Sequence, residues 1–82
     1  APSPLRILDA LSRLLPDDTW LMQIGIAGDK VTLEGRTSSS ATLVGLIEAS
    51  PVFGEVTYLS PVTRERGGAF ERFNFSVKLA ER

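Results

Sequence analysis

The chain has 82 residues, with 9 Lys or Arg against 10 Asp or Glu, a net charge of −1, and neither cysteine nor histidine. Such a length supports one domain whose core is small but workable without staples. The missing residue types exclude a disulfide framework, thiolate or imidazole zinc sites, Ser-His-Asp and Cys-His catalysis and a pH switch near neutrality. The charge balance lacks the cationic excess of a nucleic-acid binder.

Residues 1–4, Ala-Pro-Ser-Pro, read as a linker remnant, and residues 5–82 as a single domain. The chain starts without an initiator methionine, which is read as a piece cut from a longer protein. From Leu5 the pattern is helical: Leu5, Leu8, Leu11, Leu14 and Leu15 recur at three- and four-residue steps. Ser3 suits the N-cap and Pro4 the first helical position, and Pro16 closes the helix near Leu15.

A strand follows, with Trp20, Met22, Ile24 and Ile26 alternating with Leu21, Gln23 and Gly25. One sheet face must be buried, so the first set is expected in the core. Ala27-Gly28-Asp29-Lys30 supplies a turn. The second strand puts Val31 and Leu33 on one face and Lys30, Thr32, Glu34 and Arg36 on the other. Thr37 or Ser38 is expected to cap a second helix carrying Leu43, Val44, Leu46 and Ile47, which Ser50-Pro51 stops. Phe53-Gly54 is expected to make the exit turn, and a third strand to carry Val56, Tyr58 and Val62. Arg64 to Gly68 reads as a solvated, mobile loop. The last strand puts Phe73, Phe75, Val77 and Leu79 on one face and Arg72, Asn74, Ser76 and Lys78 on the other.

The order is α-β-β-α-β-β, with Pro16 and Pro51 in matching places of two halves. Two such halves build an α+β sandwich: a four-stranded antiparallel sheet with both helices on one face. This is a ferredoxin-like arrangement, circularly permuted relative to βαββαβ. Strands two and four are then central, and strands one and three are edges.

Soluble proteins usually blunt sheet edges with charge, proline or a bulge. The third strand has Glu55 before it and Pro61 near its end. The first, Thr19 to Ala27, has neither charge nor proline. Its backbone edge is therefore the candidate protein interface, with Leu21, Gln23, Ile24 and Gly25 as candidate contact residues, by strand addition or packing across a two-fold axis. The competing reading is a Gly25 bulge that turns the edge away.

Other features read blandly. Asp17-Asp18 are turn formers, and Thr37 to Ser40 are helix-start hydroxyls with no base to activate them. Phe73 and Phe75 share parity with core residues, so the base-stacking face of an RNA-recognition sheet is not indicated. No catalytic, cofactor or metal residues are assigned. A small-ligand regulatory domain would need convergent polar groups and a glycine-rich loop, of which only Gly25 and Gly28 are present.

Several segments together carry a resemblance: Leu14-Leu15-Pro16-Asp17-Asp18-Thr19-Trp20-Leu21, Val31-Thr32-Leu33-Glu34-Gly35-Arg36, Ser50-Pro51-Val52-Phe53, Ser60-Pro61-Val62-Thr63-Arg64 and Glu71-Arg72-Phe73. In order and spacing the chain resembles the C-terminal periplasmic domain of the GspL family of type II secretion platforms, and the related PilN family of type IV pili. The resemblance implies a non-enzymatic domain that dimerises and pairs with the GspM subunit. It also implies a membrane anchor upstream, placing the domain on the periplasmic side of the bacterial inner membrane.

Overall fold

The computed structural model describes residues 3–80. Helix α1 spans Pro4–Leu14, with the Ser3 hydroxyl accepting from the Arg6 N–H at 3.3 Å and Pro4 in the first turn. Leu15 is extended, as a residue before proline must be. Ala1 and Pro2 of the expected linker, and Glu81 and Arg82, lie outside the described residues.

Strands β1 (Thr19–Ala27) and β2 (Lys30–Thr37) form an antiparallel hairpin. Its two-residue loop puts Gly28 at φ +61°, a backbone geometry that suits glycine. Helix α2 is Ser40–Ala49. Strand β3 is Phe53–Tyr58, β4 is the two-residue Thr63–Arg64, and β5 is Glu71–Leu79. The sheet runs β1-β2-β5-β3, with β4 also paired to β5, so it has five strands rather than four. Every pairing is antiparallel.

Ile7 and Leu11 of α1 and Leu43 and Ile47 of α2 share one buried cluster with Val31 and Leu33 of β2, Phe53 of β3, and Phe73, Phe75, Val77 and Leu79 of β5. Both helices therefore cover the same sheet face, and the alternation expected of β2 and β5 is observed. The opposite face presents Lys30, Thr32, Glu34 and Arg36 beside Lys78, Ser76, Asn74 and Arg72.

Several boundaries differ from expectation. Ser39, not Thr37 or Ser38, caps α2, accepting from the Thr42 N–H at 3.2 Å. Thr37 remains in β2 because Glu71 of β5 continues the ladder opposite it. It is buried, and its hydroxyl lies 2.9 Å from that of Thr19. Ser38 donates to the Asp18 carboxylate, which fixes that turn former to the helix approach. Phe53 and Gly54 belong to β3, because Phe53 finds a core position opposite Leu79. Val62 lies outside β3, which ends at Tyr58; Leu59 makes one more ladder contact, its N–H donating to the Asn74 carbonyl at 2.8 Å.

Candidate functional site

Strand β1 sits at the end of the sheet and pairs only with β2. It does not bury one parity as its sequence suggests. Trp20, Met22, Ile24 and Ile26 are 49%, 55%, 40% and 38% exposed, so none is core.

The cause is a bulge between Leu21 and Gln23. Leu21 stands opposite Gly35 and packs against the core, while Trp20 stands opposite Arg36 on the open face. Met22 also lies on the open face, its sulfur 3.9 Å from an Arg72 guanidinium nitrogen. Gln23 then stands opposite Glu34, again on the open face. With two successive residues turned the same way, Ile24 and Ile26 move to the helix face, opposite Leu33 and Val31. Leu21, Gln23 and Gly25 therefore do not share a face, as unbroken alternation required. The bulge lies at Met22 rather than Gly25.

Gly35 makes room for the bulge. A Cβ there would collide with the Trp20 carbonyl oxygen and approach the Leu21 Cα at 3.1 Å. Beyond the bulge, Gln23 to Ala27 run in regular register against Glu34 to Lys30.

Ile24 and Ile26 stay exposed because the helices stop short of them. Helix α2 packs on β3 and β5. The side of α1 that faces α2 carries Arg6, Ala10 and Arg13, which line the cleft between the helices. Leu8 falls on the other flank of α1 by the 100° step of the helix and Leu5 toward its outer side, and both are exposed. The β1 edge is thus apolar on both sides: Trp20 and Met22 toward the open face, Ile24 and Ile26 toward the helices. Among the described residues no side chain hydrogen-bonds to a β1 backbone group.

A polar strap holds the near end of this edge. Arg36 and Arg72 stand directly opposite each other, a repulsive pairing. Glu65 reaches over them, with oxygens 3.0 Å from Arg36 and 3.9 Å from Arg72. The Phe70 ring meets Trp20 edge-on at 5.1 Å, and the Arg36 guanidinium lies over both rings. Arg64 donates to the Gly68 carbonyl and to the Glu71 carboxylate, each at 2.7 Å. The 64–68 segment is therefore tied down at Arg64 and Glu65, and only its tip is free of contacts of this kind. Arg36 Nε is buried without a partner, so the strap satisfies the guanidinium incompletely. The open face also carries aromatic rings at this end, which the alternation of β5 did not foretell.

Glu71 anchors α2 as well, its carboxylate accepting from the Ser40 N–H at 2.8 Å. That bond first, then the adjacent Ser40 hydroxyl, hold its carboxyl below the usual glutamate range; burial opposes them more weakly, and the nearby Arg64 charge adds the least. Among the described residues no group of three or more acidic side chains is arranged to hold a metal ion, and no helix is long and apolar enough to cross a membrane.

The fimbrial assembly protein (PilN) family model matches residues 6–79. The chain belongs to this family. This PilN-family chain is also 29% identical, over 79 residues, to a type II secretion system protein L of Xanthomonas campestris pv. campestris. The match takes in 96% of this chain and 21% of that relative, so the chain spans about a fifth of the relative's length. No solved structure matches it. The family assignment agrees with the resemblance carried by the sequence segments.

Of the four candidate contact residues, the structure places Gln23, Ile24 and Gly25 on the regular part of the exposed edge, and Leu21 half-buried before the bulge. Sequence reasoning expected the side chains of Trp20, Met22, Ile24 and Ile26 in the core and so missed all four as surface residues, along with the Arg36–Glu65–Arg72 strap. The one local signal for the bulge is Gly35, which interrupts the side chains of the neighbouring strand opposite it.

Proposed function

We propose that residues 5–82 form a non-catalytic interaction domain of permuted ferredoxin-like type, belonging to an inner-membrane platform subunit of a type II secretion system. It works on the periplasmic side, in a longer protein anchored in the membrane upstream. It dimerises, and it pairs with a GspM-type subunit and so with the rest of the platform. The name of the Xanthomonas relative supports the secretion setting. The match to the PilN model favours a second reading, the equivalent domain of a type IV pilus assembly platform. Both readings assign the same task to this chain.

The observation that carries the proposal is the β1 edge. It offers unpaired backbone groups, no charge, and exposed apolar side chains on both faces. An edge left so open is a template for another strand.

Sedimentation equilibrium on the native domain and on Ile24→Lys tests this. Ile24 is the better site, because a lysine at Gln23 would face Glu34 across the ladder and be partly neutralised. The native domain is expected to form a reversible dimer and the variant a folded monomer, with folding followed by circular dichroism. Equal dimerisation of both would move the interface off β1. A monomeric native domain would refute self-association through this edge. The same variant titrated with a GspM-type periplasmic domain tests heteromeric pairing, which the lysine is expected to weaken.

A further inference from the structure

The bulge in β1 fixes more than a parity. We infer that two copies of this chain pair β1 to β1 antiparallel with the two-fold axis through Gly25, in a register set by the bulge on one side and the hairpin turn on the other. This inference rests on the edge-pairing proposal and goes further, by naming which residue meets which.

Residues facing each other across an antiparallel ladder both point their N–H and C=O groups at the partner, or both point them away. Positions paired within two copies of one strand must therefore differ by an even number. The axis then passes through a residue that faces itself. Strand β1 is regular only from Gln23 to Ala27, between the Met22 bulge and the Gly28 turn. An axis through Gly25 uses all of that run: Gln23 meets Ala27 of the other copy, Ile24 meets Ile26, and Gly25 meets Gly25. An axis through Ile24 or Ile26 brings the bulge or the turn into the ladder and shortens the regular pairing.

Side chains favour the same register. Ile24 and Ile26 lie on the helix face, so four isoleucines from two copies form one row across the axis. Their present exposure of 40% and 38% is apolar surface that this row would remove from water. On the open face the glycine leaves space at the axis. Five paired residues make a ladder only about 17 Å long, too short to bury by itself the roughly 800 Å² per partner of a stable interface. Leu8, exposed on the α1 flank away from α2, is the nearest further apolar side chain to add area. The dimer is expected to be reversible rather than permanent.

The absence of native cysteine makes the register directly readable. Gln23→Cys, Gly25→Cys and Ala27→Cys are prepared singly and oxidised with oxidised glutathione. A Cβ at Gly25 meets only the Thr32 side chain at 3.7 Å, an ordinary contact, and the other two positions are exposed. Facing residues in an antiparallel pair are about 4.5–5.5 Å apart at Cα, within disulfide reach. Gly25→Cys is expected to give a covalent dimer alone. Gln23→Cys and Ala27→Cys are expected to stay uncross-linked alone, since each is about 14 Å along the strand from its own copy, and to cross-link when mixed. Self-linking of Gln23→Cys or Ala27→Cys in place of Gly25→Cys overturns this register while edge pairing stands. A sedimenting dimer with no cross-link at any position overturns both, and a monomer by sedimentation overturns the edge-pairing proposal itself.

Discussion

The two edges of the sheet are built differently. Strand β3 is guarded: Glu55 is exposed on it, a bulge lies between Phe53 and Val56, and Pro61 follows soon after its end. Glu48 of α2 also reaches across to accept from the Val56 N–H at 3.4 Å. Strand β1 has a bulge too, but it sits near the start and leaves five regular residues beyond it. On β3 the bulge is accompanied by the Glu55 charge and the covering Glu48 side chain; on β1 no charged residue of the strand accompanies it. One guarded and one open edge per copy favour a closed pair over a growing sheet.

The most damaging test of this contrast is Gly35→Ala. The added methyl collides with the Trp20 carbonyl, so β1 must lose its bulge or part from β2. Destabilisation of about 2–3 kcal/mol is expected by chemical denaturation, together with loss of self-association. Unchanged stability would mean that the bulge moves freely. A gentler change unguards the other edge. Glu48→Ala with Glu55→Val is expected to cost about 1 kcal/mol or less, but to drive mass in sedimentation beyond that of a dimer. If the mass stops at the dimer, the guard on β3 lies elsewhere.

The smallest effect concerns acid. Glu71 has a depressed carboxyl in the folded chain, so its contribution is fully present above the unfolded glutamate value near 4.5. It is lost as pH falls through the lower folded value. Glu71→Gln is expected to lower stability at neutral pH by about 0.5 kcal/mol and to flatten this acid limb. Because Glu71 holds the N-terminus of α2 and also accepts from Arg64, the loosening reaches the helix that guards β3 first and the strap second. Identical acid limbs in native and variant would remove Glu71 from this role.

The central strands were legible because each buries one face completely. The alternation in Phe73, Phe75, Val77 and Leu79 has one solution once the opposite face is polar. Strand β1 was not, since Trp20 through Ala27 carry apolar residues at both parities and no composition rule marks the slip at Met22. The edge position itself followed from strand order. The strap was hidden for a different reason. Its partners Trp20, Arg36, Glu65 and Phe70 are far apart in sequence, and each alone resembles an ordinary surface residue. The cap of α2 was misplaced by one or two residues because Thr37 to Ser40 offer hydroxyls at every position, and only the reach of β5 decides where β2 stops.

The chain's single tryptophan is Trp20. It sits half in water beside the bulge, with a ring on one side and a guanidinium over it. An indole placed there is a built-in optical reporter of the strand. Anything that covers the edge or lifts the strap changes the water and charge around the chromophore, so its emission follows occupancy without a label.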